Sequence, residues 1–373
     1  MTKLHQLNQL GQSIWYDNIR RGLLDSGELA QMIESGVSGL TSNPTIFDKA
    51  ITGSADYDEA LNELIAQGKS VDEIYEALTL EDIGRAADLL RPVYDGSTML
   101  TTGRTVGADG YASLEVSPRL AHDTENTISE ARRLFAALGR PNAMIKVPAT
   151  PAGIPAVEAL IGAGVNVNVT LLFSLQQYKA AALAYIAGLE TLAASGGDLS
   201  KVASVASFFV SRVDTAVDGQ LDELAPNPQS LKGKTAIANA KLAFARFKEI
   251  FGGERWEALA AQGARVQRPL WASTSTKDPA YPDTLYVDNL IGPHTVNTVP
   301  PQTLQAVLDH GAVALTLETG VDEAHTHIAQ LTELGIDFDA ITQGLLDDGV
   351  ASFARSFESL LGGIATKRDQ LNS

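Results

Sequence analysis

Polar residues that could do chemistry stand at the ends of short apolar runs along this chain. They carry carboxylates, an amine, amides, hydroxyls and a guanidinium, and they are Asp17, Asn43, Glu115, Lys146, Asn168, Thr170, Ser207 and Arg212. One such residue at the end of a strand usually belongs to a solvated turn. Several with complementary chemistry, each following an apolar run, instead predict a shared reaction site.

Lys146 is the least expected of these residues, because its neighbours Met144, Ile145, Val147 and Pro148 are all apolar. Burial among them would disfavour the charged ammonium and lower its pKa. A partly neutral lysine can attack a ketone and form an imine, which acts as an electron sink for breaking a carbon–carbon bond without a metal. The residues alone leave one alternative open, a strand-end lysine paired with a carboxylate.

The elements that must position these residues alternate between short β-branched or apolar runs and longer segments of helical period. This pattern is typical of βα units around a parallel sheet. Capping boxes at Ser70 to Glu73 and Ser174 to Gln177 mark helix starts, and Gly68, Gly139 and Gly311 mark helix ends. The strand candidates are Ser13 to Asp17, Val37 to Thr41, Ala112 to Val116, Ala143 to Val147, Val165 to Leu172, Val202 to Phe209, Val266 to Ser273 and Thr295 to Val299.

Eight strands separated by helices predict a (β/α)8 TIM barrel, whose usual size is about 250 residues. The 373 residues leave room for an N-terminal helix and a C-terminal helical extension. No linker or repeat divides the chain, so residues 1–373 are expected to form a single domain. Two further runs, Tyr286 to Ile291 and Ala312 to Leu317, are also strand-like, which leaves a doubly wound sheet open on pattern alone.

The charge balance restricts the partners of this protein. With 28 Lys and Arg against 45 Asp and Glu, the formal net charge is −17, which would repel a phosphate backbone over most of the surface. A general nucleic-acid or anionic-membrane binder is therefore not expected. A small phosphate remains a suitable ligand if a few cations converge in one cleft.

The sequence contains no cysteine, which excludes disulfides, thiolate nucleophiles and cysteine metal sites. His325 and His327 lie two residues apart, a spacing that points them away from each other on a helix. Neither a metal nor a cofactor is expected. Without a secretory signal or an apolar run of about 20 residues, a cytoplasmic protein is the default expectation. The oligomeric state, including a homo-oligomer, stays open.

Five motifs in this chain resemble those of the transaldolase family, and they occur in the family's order between about residues 14 and 215. Together they are far more specific than any one alone. They are Thr41-Ser-Asn-Pro-Thr45, Ser113-Leu-Glu-Val116, Ile145-Lys-Val-Pro-Ala-Thr150 with Ala152-Gly-Ile154, Asn166-Val-Asn-Val-Thr-Leu-Leu-Phe-Ser174 and Ala206-Ser-Phe-Phe-Val-Ser-Arg-Val213.

The resemblance implies a (β/α)8 fold and transfer of a dihydroxyacetone unit between sugar phosphates in the non-oxidative pentose phosphate pathway. The donors would be sedoheptulose 7-phosphate or fructose 6-phosphate, and the acceptors erythrose 4-phosphate or glyceraldehyde 3-phosphate. Lys146 falls on the Schiff-base lysine. Asp17 falls on the carboxylate that takes the C4 hydroxyl proton as the C3–C4 bond breaks. Glu115 and Thr170 fall on the pair that holds a water during imine formation and hydrolysis.

The resemblance also implies contacts to substrate. Asn43, Asn168 and Ser207 match positions that hydrogen-bond the hydroxyls of the dihydroxyacetone unit, since amides both donate and accept hydrogen bonds. Arg212 matches a phosphate-binding arginine, whose forked guanidinium suits a phosphate dianion. Phe209 matches an aromatic wall that cannot activate water, although ordinary core packing explains this residue equally well.

The sequence departs from the family on the seventh strand, where a second phosphate-binding cation is expected. Ser273 stands in a familiar place, but Ser275 stands where many members have arginine, and Lys277 is the candidate to replace that charge. The long stretch Pro269 to Pro301 also differs from that of the shortest members. Two other functions stay open: a related lysine aldolase that releases free dihydroxyacetone, and a non-catalytic phosphosugar-binding protein.

Overall fold

Eight parallel strands form a closed barrel in the computed structural model, which describes residues 1–96, 107–224 and 228–371. Each strand pairs with its neighbours in sequence, and the last pairs with the first. The predicted (β/α)8 barrel is therefore confirmed. The strands are β1 (Gln12–Tyr16), β2 (Val37–Thr41), β3 (Tyr111–Glu115), β4 (Ala143–Pro148), β5 (Val167–Leu172), β6 (Ser204–Phe209), β7 (Arg268–Ala272) and β8 (Thr295–Val299).

Helices follow the strands and form the outer layer. Both predicted capping boxes are present, at the starts of the sixth and ninth helices. The helices are α1 (Lys3–Gln9), α2 (Arg21–Asp25), α3 (Glu28–Ser35), α4 (Pro44–Thr52), α5 (Asp58–Ala66), α6 (Val71–Tyr94), α7 (Thr124–Leu138), α8 (Gly153–Gly162), α9 (Leu175–Ala194), α10 (Ser211–Asp222), α11 (Thr235–Ile250), α12 (Glu254–Ala260), α13 (Leu285–Asn289), α14 (Pro301–His310), α15 (Val321–Glu333) and α16 (Phe338–Leu371).

The strand register brings the predicted site residues side by side. Glu115 of β3 pairs with Lys146 of β4, and Lys146 in turn pairs with Asn168 of β5. In a parallel barrel the carboxyl ends of all strands meet at one rim. Residues far apart in sequence therefore face one another there.

The two additional strand-like runs are not strands. The first forms α13, in which Tyr286 and Val287 are buried, and the second is irregular, with Leu317 donating a backbone hydrogen bond to Ile291. The alternative of a doubly wound sheet is wrong. The physical reason is that β8 already pairs with β1, so the closed barrel has no free edge at which another strand could pair.

A buried carboxylate ties the opposite, amino-terminal end of the barrel together. Asp109 accepts hydrogen bonds from Trp15 Nε1 at 2.8 Å, from Arg268 Nη2 at 3.3 Å and from the Ser13 hydroxyl. Strands β1 and β7 are thereby joined to the segment that precedes β3. Polar groups at this end of such barrels generally support stability.

The C-terminal helix α16 confirms the predicted extension and covers part of the rim formed by the carboxyl ends of the strands. It packs on α4, where the hydroxyls of Thr45 and Ser356 hydrogen-bond at 2.7 Å. Near its end, Lys367 donates to Asp58 at 2.8 Å and to the Ser54 carbonyl oxygen at 2.6 Å. In the described part of the chain, no helix is both long and apolar enough to cross a membrane.

Candidate active site

A cavity of about 600 Å³ opens at the carboxyl ends of the strands, and we call it the main cavity. Nine of the eleven predicted site residues line it, namely Asp17, Asn43, Lys146, Thr170, Ser207, Phe209, Arg212, Ser273 and Lys277. The described lining residues do not include Glu115 or Asn168. Residues predicted from separate strand ends therefore come together around the main cavity, and the other two, Glu115 and Asn168, lie behind the cavity wall.

Lys146 projects from β4 and is 5% exposed. Its ammonium donates a hydrogen bond to the Ser42 carbonyl oxygen at 2.8 Å, and it lies 3.1 Å from Glu115 Oε2. The aromatic ring of Phe353 lies over it, with 5.8 Å between Nζ and the ring centroid. The lysine is thus buried as expected from its apolar neighbours, and it is also paired with a carboxylate.

Two carboxyl groups flank this ammonium, and burial raises the pKa of both. For Glu115, the attraction of Lys146 opposes the increase in pKa and the negative charge of Asp17 adds to it. For Asp17, Lys146, a hydrogen bond from Thr41 at 2.8 Å and Lys277 all oppose the increase. Each group is therefore closer to exchanging a proton at neutral pH than a solvated carboxyl would be.

Asn168 supports the wall of the main cavity from beneath. Its side chain is fully buried, and its Oδ1 accepts a hydrogen bond from the Ser207 hydroxyl at 2.7 Å while its Nδ2 donates to Ser113 Oγ at 3.2 Å. Asn43 does line the cavity, but its Oδ1 caps α4 by accepting from the Ile46 N–H at 3.0 Å. Its amide is oriented by this cap, which leaves Nδ2 to donate.

Thr170 lies within an irregularity in β5. The register with β6 shifts between Val169 and Leu172, and Leu171 has a positive φ of 61°. A β-bulge changes the direction of neighbouring side chains and is common beside active sites. The buried Thr170 hydroxyl oxygen has no hydrogen-bond partner among the described residues, so it is available to a substrate or a water.

The main cavity is cationic even though the protein is strongly acidic. Its described wall contains five basic side chains and one carboxylate, Asp17. The basic residues are Arg20, Lys49, Lys146, Arg212 and Lys277. Such a local excess of positive charge is what a phosphorylated ligand of this acidic protein requires.

Two of these cations, Arg20 and Lys49, and the aromatic ring over Lys146 were not predicted from the sequence. Arg20 follows Asp17 by only three residues, which was a usable signal. Nothing local distinguishes Lys49 of α4 from a surface lysine. Phe353 reaches the site from α16, more than 200 residues after Lys146 in the chain, so no motif around the lysine could reveal it.

Arg212 and Lys277 belong to two different elements. Arg212 lies in the first turn of α10, and its guanidinium stacks 5.3 Å from the ring centroid of Phe209. Lys277 follows β7 and donates to Ser275 Oγ at 2.7 Å. Partial burial and the neighbouring Arg212 charge lower the pKa of Lys277, while Asp17 opposes the change. The two predicted phosphate cations therefore share one cavity.

The start of α10 is fixed to the end of β7. The hydroxyls of Ser211 and Ser273 hydrogen-bond at 2.9 Å, and Ser211 N–H donates to the Ser273 carbonyl oxygen at 3.1 Å. Ser273 adopts a left-handed φ of 56°, which is unusual outside glycine. Such a conformation persists only where surrounding contacts impose it, and here it fixes the base from which Arg212 projects.

Two buried aspartates of α10 hold the segment that follows Lys277. Asp214 accepts hydrogen bonds from Tyr286 OH at 2.9 Å and from the Ala236 N–H at 2.7 Å. One turn later, Asp218 accepts from Tyr281 OH at 2.7 Å. The helix that carries Arg212 is thereby joined to the segment that carries Lys277.

The arrangement can perform imine chemistry on a phosphorylated carbonyl compound. A buried amine lies beside one carboxyl group and near another, hydroxyl and amide groups surround it, and cations line the walls. Among the described residues, no group of three or more His, Asp or Glu is arranged to hold a metal ion.

Comparisons with known proteins point to one family. A family model described as Transaldolase/Fructose-6-phosphate aldolase matches residues 14–364. A protein of Nostoc punctiforme named Transaldolase 2 is 49% identical, covering 98% of this chain and 97% of its own. Proteins named Transaldolase from Trichodesmium erythraeum and Thermobifida fusca are 48% and 49% identical, covering 99% and 97% of this chain and 98% and 97% of their own.

The substitution Asp214→Asn should make the protein more stable at alkaline pH. Burial, with a contribution from Asp218, raises the pKa of Asp214 from 3.8 to about 7. Between about pH 4 and 7 the folded state holds this proton more tightly than the unfolded chain, so ionisation of Asp214 destabilises the fold as the pH rises. Asparagine keeps an oxygen for the Ala236 N–H but cannot ionise.

We expect the gain to reach about 1–4 kcal/mol above pH 7 and to vanish near pH 4. Urea unfolding of both proteins at pH 4.5, 6 and 8 measures it. An equal difference in unfolding free energy at all three pH values would contradict the role of Asp214 ionisation.

Proposed function

The chain belongs to the transaldolase/fructose-6-phosphate aldolase family, and we propose that it carries a dihydroxyacetone unit as a Schiff base on Lys146. Relatives named transaldolase match it over almost its whole length, so its activity is that of a transaldolase, a transferase. The observation that carries the mechanism is the buried Lys146 ammonium, 3.1 Å from Glu115, in a cavity with a cationic wall.

The proposed donors are sedoheptulose 7-phosphate and fructose 6-phosphate, and the proposed acceptors are glyceraldehyde 3-phosphate and erythrose 4-phosphate. Sugar phosphates of this size fit a cavity of about 600 Å³. We also propose a cytoplasmic location, where such sugar phosphates are produced and used. Residues 1–373 are proposed to act as one catalytic domain, because Phe353 of the extension lies over Lys146.

The reaction begins when the Lys146 ammonium gives a proton to the neighbouring Glu115 carboxylate and the neutral nitrogen attacks the ketone carbon C2. Glu115, with a water held by Thr170, protonates the departing C2 oxygen, and the imine forms. Asp17 then takes the proton of the C4 hydroxyl and the C3–C4 bond breaks, so that C4 becomes the aldehyde of an aldose phosphate, which leaves, while the iminium accepts the electron pair. In the reverse of this step, C3 of the bound three-carbon unit attacks the acceptor aldehyde and a new C3–C4 bond forms. Water then releases the new ketose from Lys146.

Apolar side chains surround the carbanion that forms on the Lys146 adduct when the C3–C4 bond breaks. This surrounding favours transfer to an aldehyde over release of free dihydroxyacetone. Phe209 lines the main cavity and packs against Phe173, with 5.2 Å between ring centroids, and Phe353 covers Lys146. None of these rings can activate a water to protonate the carbanion. An assay with and without acceptor aldehyde distinguishes the two activities.

The covalent intermediate should form on Lys146 and on no other lysine. Borohydride added with fructose 6-phosphate should trap a stable adduct that peptide mapping places at Lys146, and Lys146→Ala should abolish both trapping and turnover. Lys49→Ala and Lys277→Ala are matched controls, since these lysines line the same cavity, and both should retain the adduct. An adduct on either of them in the wild-type protein would refute the assignment.

The two carboxylates should be separable by the step that each serves. Asp17→Asn should still form the imine, so borohydride should trap the intact six-carbon adduct while turnover falls by roughly 10²–10⁴-fold. Glu115→Gln should slow trapping itself, because dehydration of the carbinolamine precedes any trappable imine. Mass spectra of trapped protein over time measure both effects. A three-carbon adduct in Asp17→Asn, or equal trapping rates in the two variants, would show that the roles are misassigned.

Loss of a cavity cation should affect phosphorylated substrates selectively. Arg212→Ala should lower kcat/KM for fructose 6-phosphate by about 10- to 100-fold, the effect expected for a lost charge-assisted contact. Lys277→Ala should act in the same direction but more weakly, because this lysine is more exposed. Imine formation with unphosphorylated dihydroxyacetone is the control and should stay near the wild-type level. Equal losses with both compounds would argue against phosphate recognition.

A further inference from the structure

A second cavity, of about 330 Å³, lies between β3, α6, α7 and α16, and we call it the rear cavity. Glu115 is part of its wall, whereas the described wall of the main cavity does not include Glu115. Glu115, whose carboxyl group lies next to the reactive lysine, therefore borders a space other than the substrate cavity.

The rear cavity runs from solvent to a polar interior. At the surface, the exposed Arg119 pairs with Asp72 at 3.5 Å, and Arg133 pairs with Glu76. Farther in, Thr79 and Glu115 are buried. These groups could hold a short file of water, because a buried water needs two to four polar partners and about 30 Å³ of space.

Further polar groups lie along the same wall. Tyr75 and Glu130 line the cavity, and Glu130 Oε1 accepts a hydrogen bond from the Ser117 N–H at 2.6 Å. Burial raises the pKa of Tyr75, and the negative charges of Glu115 and Glu130 raise it further. Tyr75 therefore stays a neutral hydroxyl, able to donate and accept hydrogen bonds at neutral pH.

The pair of Glu115 and Lys146 separates the two cavities. Lys146 lines the main cavity and Glu115 lines the rear one, with 3.1 Å between their charged atoms. Helix α16 contributes to both sides: Phe353 lies over Lys146, and Phe357, one turn later, packs edge-on against Tyr75 at 5.1 Å between centroids. The boundary between the two cavities therefore lies within one ion pair.

Resting on the function proposed above, we propose that the rear cavity conducts the water and protons of imine formation and hydrolysis to and from Glu115 while substrate fills the main cavity. In dehydration, the lysine nitrogen forms the second bond to C2 as the C2–O bond breaks. The hydroxyl takes the Glu115 proton and leaves as water. In hydrolysis, a water from the same route adds to C2, and its proton returns to the Glu115 carboxylate.

Glu115 is buried enough for its pKa to be raised, yet it also lines the rear cavity, which opens to solvent. The proposed route explains why both are true of one residue. One water leaves and one returns in each transfer cycle, and a bound sugar phosphate together with Phe209 and Phe353 obstructs the main cavity. The carbon–carbon steps need no water. Blocking the rear cavity should therefore slow only the steps that make or break the imine.

The variant Glu76→Phe tests the route by placing a large apolar ring at the rear cavity's outer end, away from the reacting atoms. The matched control is Asp88→Phe, which also replaces a carboxylate of α6 that pairs with one arginine, Arg140, but lies outside both cavities. Thermal unfolding tests whether both variants are folded.

Two rates are measured by borohydride quenching and mass spectrometry of the protein. The first is imine formation from fructose 6-phosphate. The second is conversion of a preformed three-carbon adduct into a seven-carbon phosphate adduct by erythrose 4-phosphate, which requires no water. Glu76→Phe should slow the first by about tenfold or more and leave the second within about twofold. Asp88→Phe should leave both unchanged.

A wild-type rate of imine formation in folded Glu76→Phe would overturn the proposal, as would an equal slowing of both rates. If Glu76→Phe does not fold, Tyr75→Phe decides in the same way, because it removes only the hydroxyl from the inner wall. Failure of the proposed function gives a different result, since the wild-type protein would then form no adduct on Lys146 at all.

Discussion

The buried pair of Lys146 and Glu115 is the constraint on which the rest of the site depends. Removing two charges from water costs several kcal/mol for each ion, and their attraction offsets this cost only when the geometry is good and other hydrogen bonds are made. The parallel register of β3 and β4 supplies the geometry, and the Ser42 carbonyl oxygen supplies the additional hydrogen bond. The reaction therefore depends on the closed barrel, because its strand register holds Lys146 and Glu115 in place.

The distribution of charge follows a second constraint. A chain with a net charge of −17 repels phosphates over most of its surface, so its cations must be concentrated where a phosphate has to bind. They come from elements distributed around the rim: the β1–α2 connection, α4, β4, α10 and the segment after β7. Asp214 and Asp218 matter here because they hold the last two of these together through Tyr286 and Tyr281.

Strain and added elements shape the rest of the rim. Leu171 and Ser273 adopt left-handed conformations directly after Thr170 and after β7, where straight strands would aim these side chains differently. Helix α16 crosses the rim and contributes Phe353 to one cavity and Phe357 to the other. In this way one helix outside the barrel completes the cover of the reactive lysine and a wall of the rear cavity.

The sequence by itself determined the eight strands, the capped helices and the identity of most residues at the rim, because these depend on local periodicity and on the residue that follows each apolar run. Nine of the eleven proposed site residues line the main cavity for this reason. Pattern alone could not exclude strands at Tyr286 and Ala312, since closure of the barrel, which leaves no free edge, is a property of the whole sheet.

Tertiary structure alone decided that Asn168 supports Ser207 from beneath, that Glu115 faces a second cavity, and that Lys49 and Phe353 join the site. Each of these outcomes depends on which side chains fill the space between elements distant in sequence, and no local spacing encodes that packing.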